Sequence, residues 1–359
     1  VSVNKHTSLL LNTMLTIAPE YFATEGEDNK KDGKLVEDII EELIKTLEVI
    51  ANEDGSTSSE KFNNACQIAE NLAKINLPPL IDAFLKEEYG LPLPVSLSSI
   101  IQRLCKEKAL VTKIFTKITD IINNGDPGFE NRPNYAVCAS TIVLGTMLQT
   151  HDSVITPLIK KFFPQLLSTL LLRIGSAHSI NYTGGAFKTQ EEDPRNQTVW
   201  AIQQLMSYSD DIDLASCLES SGSIQNKLIS SYEYDEGIYE LMFIFCKKTD
   251  HAKQSSMFDF LQGFLDRPWG GQRVAVVSCY AQFVSYASVI YSKGSEIDIN
   301  EWRNKLVVEL TKTITDSDEL ARKQSIRGLA NLCKVYLDCT MNIDNYIRIT
   351  EKLDDGILL

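Results

Sequence analysis

Apolar residues along this chain recur at helical spacing. Between residues 34 and 50, Leu35, Val36, Ile39, Ile40, Leu43, Ile44 and Leu47 fall on one face, with Glu37, Asp38, Glu41, Glu42, Lys45 and Glu48 opposite. Met257, Phe258, Phe260, Leu261, Phe264 and Leu265 repeat this pattern, which predicts a helix over 253–265. The stretch 266–337 reads as two helical hairpins in succession. The first opens on Arg267-Pro268-Trp269-Gly270-Gly271-Gln272-Arg273 and enters the uncharged run 274–292. The second opens on Asp316-Ser317-Asp318-Glu319-Leu320-Ala321-Arg322, followed by Ile326, Leu329, Ala330, Cys333, Tyr336 and Leu337 at helical spacing.

The same reading extends over most of the chain. Thr57 and Glu60 frame a capping box for a helix to about 74, as do Asp298 with Glu301 and Asp316 with Glu319 for helices over 299–315 and beyond 316. Further helices are predicted after Pro79 to 88, and over 96–106, 108–123, 132–149, 195–208, 214–230, 235–248 and 272–291. A helix over 154–174 is expected to be kinked or split, because it contains Pro157 and Pro164. Residues 123–128 read as a turn and 176–194 as a mobile loop insertion. No strand is expected. Roughly eight antiparallel helix pairs repeating at about 35–50 residues are the mark of a HEAT-type or armadillo-type array, an all-α superhelix in which each pair is buried against its neighbours. The expected organisation is a single solenoid segment over 1–359, cut from a longer protein, since Val1 opens inside the apolar pattern of Leu9, Leu10, Leu11, Met14 and Leu15. The run 274–292 reads as a helix buried between neighbours, because Ser278, Gln282, Ser285 and Ser288 interrupt it.

Charge and chemistry narrow the function. A net charge of −13 argues against nucleic acid as a partner. The eight cysteines form no CxxC pair and fall mostly in apolar helical stretches, the usage of a reducing, cytosolic compartment. Neither Cys246 with His251 nor Cys333 with Cys339 has zinc spacing, and Asp210, Asp211 and Asp213 lack the glycine and glutamate of a calcium loop. Gly184-Gly185 and Gly270-Gly271 stand outside any phosphate-binding frame and read as turns. His6, His151, His178 and His251 belong to no recognisable catalytic arrangement. A non-enzymatic protein without cofactor or metal is therefore expected.

One surface signal stands out: Arg103, Lys106, Lys108, Lys113 and Lys117 meet only Glu107 between 96 and 119. Such a cluster is either a solvated face or a site for anionic lipid headgroups, each charge contributing about 1 kcal/mol near the surface. Arg322, Lys323, Arg327 and Lys334 carry the same two readings. Asp318 and Arg322, four apart, are expected to pair within a ladder whose counterparts one repeat earlier are Asp266, Arg267 and Arg273. Trp269 reads either as an exposed aromatic anchor or as a cap over the hairpin end.

Phe162-Phe163-Pro164-Gln165-Leu166-Leu167, the segment 171–176, the spacing through 266–283 and Ser325-Ile326-Arg327-Gly328-Leu329-Ala330-Asn331-Leu332 resemble the maestro heat-like repeat family, over roughly the C-terminal two thirds. The resemblance implies a cytosolic α-solenoid without a catalytic motif, peripheral on late endosomal or lysosomal membranes. It also implies recruitment by a GTP-loaded Rab GTPase and self-assembly in membrane remodelling and lysosome fission. Two other readings stay open. An acidic array binding basic peptide cargo fits the net charge, but Trp200, Trp269 and Trp302 lack an Asn four residues on. A general protein-assembly scaffold would show no lipid dependence.

Overall fold

The computed structural model describes residues 15, 30–54, 60–87, 91, 93–129, 132–180, 192–218, 222–291 and 299–338. The chain divides into two compact units. The first comprises 1–126, 134–161 and 189–192, the second 127–133, 162–188 and 193–359. The 176–194 loop falls largely outside the described residues; its described start is helical to His178.

In the first unit α1 spans Lys30–Asp54, α2 Glu60–Ile75, α3 Pro78–Phe84, α4 Val95–Leu104, α5 Lys108–Asn124 and α6 Tyr135–Leu148. The apolar stripe read from the sequence buries Val36, Ile40, Leu43, Ile44 and Leu47 of α1, which packs on α2, α3 and α4. α4 and α5 in turn pack on α6. Being apolar on every side, α6 is buried throughout 137–148. It starts at Tyr135, because the Asn134 side chain accepts from the Val137 N–H at 3.4 Å.

α7 spans Ile155–His178 as one helix, so of the two expected alternatives the split does not occur. Pro157 stands in its first turn, where backbone N–H groups have no helical partner in any case. At Pro164 the carbonyl that loses its partner is that of Lys160, an exposed residue.

The second unit contains the end of α7, α8 (Pro194–Met206), α9 (Ile212–Ala215), α10 (Ser223–Ile229), α11 (Tyr234–Lys248), α12 (His251–Gln262), α13 (Gly270–Tyr291), α14 (Ile299–Lys312) and α15 (Glu319–Asp338). The helix expected over 214–230 is two short pieces, α9 and α10, with the left-handed Gly222 (φ 67°) before the second. A two-residue ribbon also replaces part of an expected turn and helix: Gly128–Phe129 (β1) pairs antiparallel with Arg132–Pro133 (β2).

α13 is the centre of this unit. Val274, Ala275, Val276, Val277, Cys279, Tyr280, Ala281, Phe283 and Val284 are all completely covered. α11 and α15 run parallel, since Asp235, Glu236 and Tyr239 meet Gln324, Arg327 and Asn331 in the same order. Both lie on α13. Phe258, Tyr280, Phe283 and Trp302 join the α12–α13 hairpin to α14 through ring contacts of 4.8 to 6.3 Å. The fold class is an all-α helical repeat. Among the described residues no helix is long and apolar enough to cross a membrane.

Candidate interaction surfaces

α5 turns Leu110, Val111, Ile114, Phe115, Ile118 and Ile122 inward, which leaves Lys108, Lys113 and Lys117 exposed beside Lys106 in the preceding turn. The only acid in this stretch, Glu107, is engaged by Lys74 at 2.9 Å. Lys74 also reaches Glu70, and hydrogen bonds to these two carboxylates raise its pKa. Arg103 leaves the group: it is half-buried and donates to the Asn63 side chain. Lys106, Lys108, Lys113 and Lys117 remain as an exposed lysine ridge with no ion-pair partner among the described residues.

The second basic group is arranged differently. Arg322 donates to the carbonyls of Asp316 (2.8 Å) and Ser317 (3.2 Å). Lys323 pairs with the fully buried Asp235 and with Glu236, each at 2.8 Å. Arg327 pairs with Glu236 at 2.6 Å and lies 3.3 Å from the centre of the Tyr239 ring. Burial raises the Glu236 pKa, but Lys323 and Arg327 outweigh it and hold the carboxyl below its ordinary value. These cations are spent inside the unit. The Lys334 side chain lies outside the described residues.

The expected Asp318–Arg322 pair does not form. Asp318 caps α15, its Oδ1 accepting from the Leu320 N–H at 2.9 Å, and Arg322 is already committed to carbonyls. Asp316 instead receives Arg273 through two parallel bonds of 2.7 and 2.8 Å, the fork geometry that suits a guanidinium to a carboxylate. A third Arg273 nitrogen donates to the Arg267 carbonyl at 2.7 Å. The Arg267 guanidinium itself stacks 5.1 Å from the Phe264 ring. Trp269 is half-buried, and its carbonyl accepts from the Gln272 and Arg273 N–H groups at the start of α13. Gly270 and Gly271 are thus the first residues of a helix and not a turn.

The polar chemistry elsewhere in the interior is quiet. Burial pushes the thiols of Cys66 and Cys217 up to about 11 and that of Cys105 to about 12, so they stay protonated and weakly nucleophilic. His178 stacks on Tyr234 at 4.2 Å and donates from Nε2 to the Leu228 carbonyl at 2.8 Å; burial lowers its pKa to about 4. Among the described residues no cluster of His, Cys, Asp or Glu is arranged to hold a metal. One feature escaped sequence reasoning, a groove of about 510 Å³ bordered by α10, α11 and α15 and reached by Gln282 of α13. Its only sequence signal is a polar residue inside an apolar run.

No family model matches the chain. It is 24% identical over 349 residues to Maestro heat-like repeat-containing protein family member 1 of Dictyostelium discoideum, an alignment covering 89% of this chain and 20% of that protein. The chain thus spans about a fifth of that relative's length. A solved structure of an engineered protein aligns over 98% of this chain and 99% of its own at 13% identity and a TM-score of 0.22, too low to bear on the fold. The resemblance carried by Phe162–Ser176 and Ser325–Leu332 and the match in Dictyostelium agree, and the chain is similar to the maestro heat-like repeat-containing proteins.

Proposed function

We propose that the chain is a segment of a non-enzymatic helical-repeat scaffold that holds protein partners beside a membrane, with the lysine ridge of α5 against anionic headgroups. The observation that carries this reading is the ridge: Lys106, Lys108, Lys113 and Lys117 are exposed and have no ion-pair partner among the described residues, in a chain of net charge −13. At about 1 kcal/mol per lysine, four of them supply a weak, reversible attachment of about 4 kcal/mol. Such an attachment needs a second contact to persist, and a protein partner on the membrane supplies it. The family resemblance names that partner as a GTP-loaded Rab-type GTPase and the membrane as late endosomal or lysosomal, with self-assembly of the scaffold in fission. Partition of the chain onto vesicles with and without anionic lipid tests the reading. Retention on anionic vesicles alone is expected, and partition that ignores lipid charge overturns it.

A further inference from the structure

Two arginines converge on one exposed serine in the second unit. Ser317 stands in the bend between the helical turn Thr313–Thr315 and α15, outside any helix. Its Oγ accepts from Arg273 Nη2 at 3.1 Å, and its carbonyl accepts from Arg322 Nη1 at 3.2 Å. Arg273 is balanced by the Asp316 carboxylate that its fork holds. Arg322 is balanced by none: it bonds the carbonyls of Asp316 and Ser317 and has no carboxylate partner among the described residues. A half-buried guanidinium without an anion, beside an exposed hydroxyl already held by a second guanidinium, is a setting in which a phosphate on that hydroxyl gains charge-assisted hydrogen bonds.

The residues around the serine say what kind of enzyme would recognise it. Asp316 precedes Ser317 and Asp318 and Glu319 follow it, while no Lys or Arg lies within four residues on either side. An enzyme that selects a serine by flanking acids matches this segment, and one that needs a basic residue close to the serine is rejected by it. We infer that Ser317 is a phosphorylation site for an acid-directed protein kinase, its phosphate held in the fold by Arg322 and Arg273. In the transfer Ser317 Oγ attacks the terminal phosphorus of a nucleoside triphosphate. The Oγ–P bond forms, the bond to the leaving nucleoside diphosphate breaks, and the hydroxyl proton passes to the kinase's own base. The product carries about two negative charges near neutral pH. Arg322 then exchanges its carbonyl contacts for phosphate oxygens, while Arg273 keeps Nε on Asp316 and Nη2 beside Ser317. Three carboxylates oppose the phosphate. Asp316 is neutralised by Arg273, Asp318 is turned to the Leu320 N–H, and Glu319 is exposed, where water and salt screen it. The site depends on neither the lysine ridge nor a membrane.

The test incubates the full 359-residue chain with ATP and an acid-directed kinase of the casein-kinase type. Peptide mass spectrometry is expected to place a phosphate on Ser317, and Ser317→Ala to remove it. Phosphorus NMR then follows the second ionisation of the phosphate, ordinarily near pH 6 (about 6 for a phosphoserine). In the folded chain it is expected at lower pH than in the same phosphorylated chain unfolded in urea, because the two guanidinium groups favour the dianion only when the fold assembles them. Arg322→Gln, which keeps a donor and removes the charge, is expected to bring the folded value back towards the urea value. Should that variant not fold, the folded and unfolded parent chains still decide the question. No phosphate on Ser317, or a phosphate that titrates alike in folded and unfolded chain, overturns the inference, as does a shift that survives Arg322→Gln.

Discussion

Gly175 and Gly271 pack backbone against backbone, so closely that a Cβ on either would lie 2.0 to 2.1 Å from the other's carbonyl oxygen. The end of α7 crosses the start of α13 there. The Gly271 N–H donates to Ser179 Oγ at 3.0 Å, and Gln272 Nε2 to Ser176 Oγ at 2.7 Å. Both helices are in the second unit at this point, so this crossing positions α13, on which α11 and α15 rest.

Neither glycine should tolerate alanine. Gly175→Ala or Gly271→Ala is expected to destabilise the second unit by about 3 kcal/mol or more, because backbone has to move to admit the methyl group. Gly263→Ala is the control, since nothing lies within 4 Å of its added Cβ. Denaturation followed by tryptophan fluorescence reports on this unit, because Trp200, Trp269 and Trp302 all belong to it.

The Arg273–Asp316 pair predicts a second loss. Its side chains are only 14% and 8% exposed, so removing one partner strands a charge in a poorly solvated place. Asp316→Ala is expected to cost about 2–4 kcal/mol. Arg273→Lys, which keeps the charge but not the fork, should cost about 1–2 kcal/mol. A double-mutant cycle with Arg273→Ala should return a coupling of at least about 1 kcal/mol, and near-zero coupling would contradict the geometry.

How much of this was legible depends on how local each signal is. The stripe of α1 and the buried run of α13 could be read directly, because periodicity and apolar length are properties of neighbouring residues. The basic stretch from Arg103 to Lys117 was legible for the same reason, although Lys113 and Lys117 alone share a helix face, and the loss of Arg103 to Asn63, 40 residues away, was not. The Arg273–Asp316 pair was not, since its partners are 43 apart and the nearer candidate, Asp318 with Arg322, had better sequence spacing. Backbone groups won there: the Leu320 N–H claimed Asp318 and two carbonyls claimed Arg322. Lys323 and Arg327 looked like a second basic surface until residues 235 and 236 of a distant helix neutralised them.

His178 gives the second unit a pH dependence. Its folded pKa is lowered to about 4 from an ordinary 6.5, so below pH 6.5 the unfolded chain binds a proton that the folded chain refuses. Stability is therefore full above about pH 6.5 and falls as pH drops towards 4, by at most about 3 kcal/mol. Asp316 and Glu236, whose folded values lie below the ordinary 3.8 and 4.5, add a loss of the same sign only at lower pH. Urea midpoints between pH 7 and 4.5 should decline in the native chain and flatten in His178→Gln.

If the scaffold engages a Rab-type GTPase through this segment, the chain should bind the GTPase loaded with a non-hydrolysable GTP analogue about tenfold more tightly than the GDP form, a difference of about 1.4 kcal/mol. Calorimetry with both forms measures it. Equal affinities would take the GTPase contact away from this segment.

The lysine ridge is the most direct point of attack on the account, and flotation with vesicles of phosphatidylcholine, with and without phosphatidylserine, is the measurement. The account predicts binding to the phosphatidylserine vesicles at low salt, weakening as salt rises, and at least about tenfold weaker binding by Lys113→Glu/Lys117→Glu. Both positions are exposed, so the double variant should unfold at the same denaturant concentration as the parent chain. Equal flotation of parent and variant, or flotation with neutral vesicles alone, would contradict it.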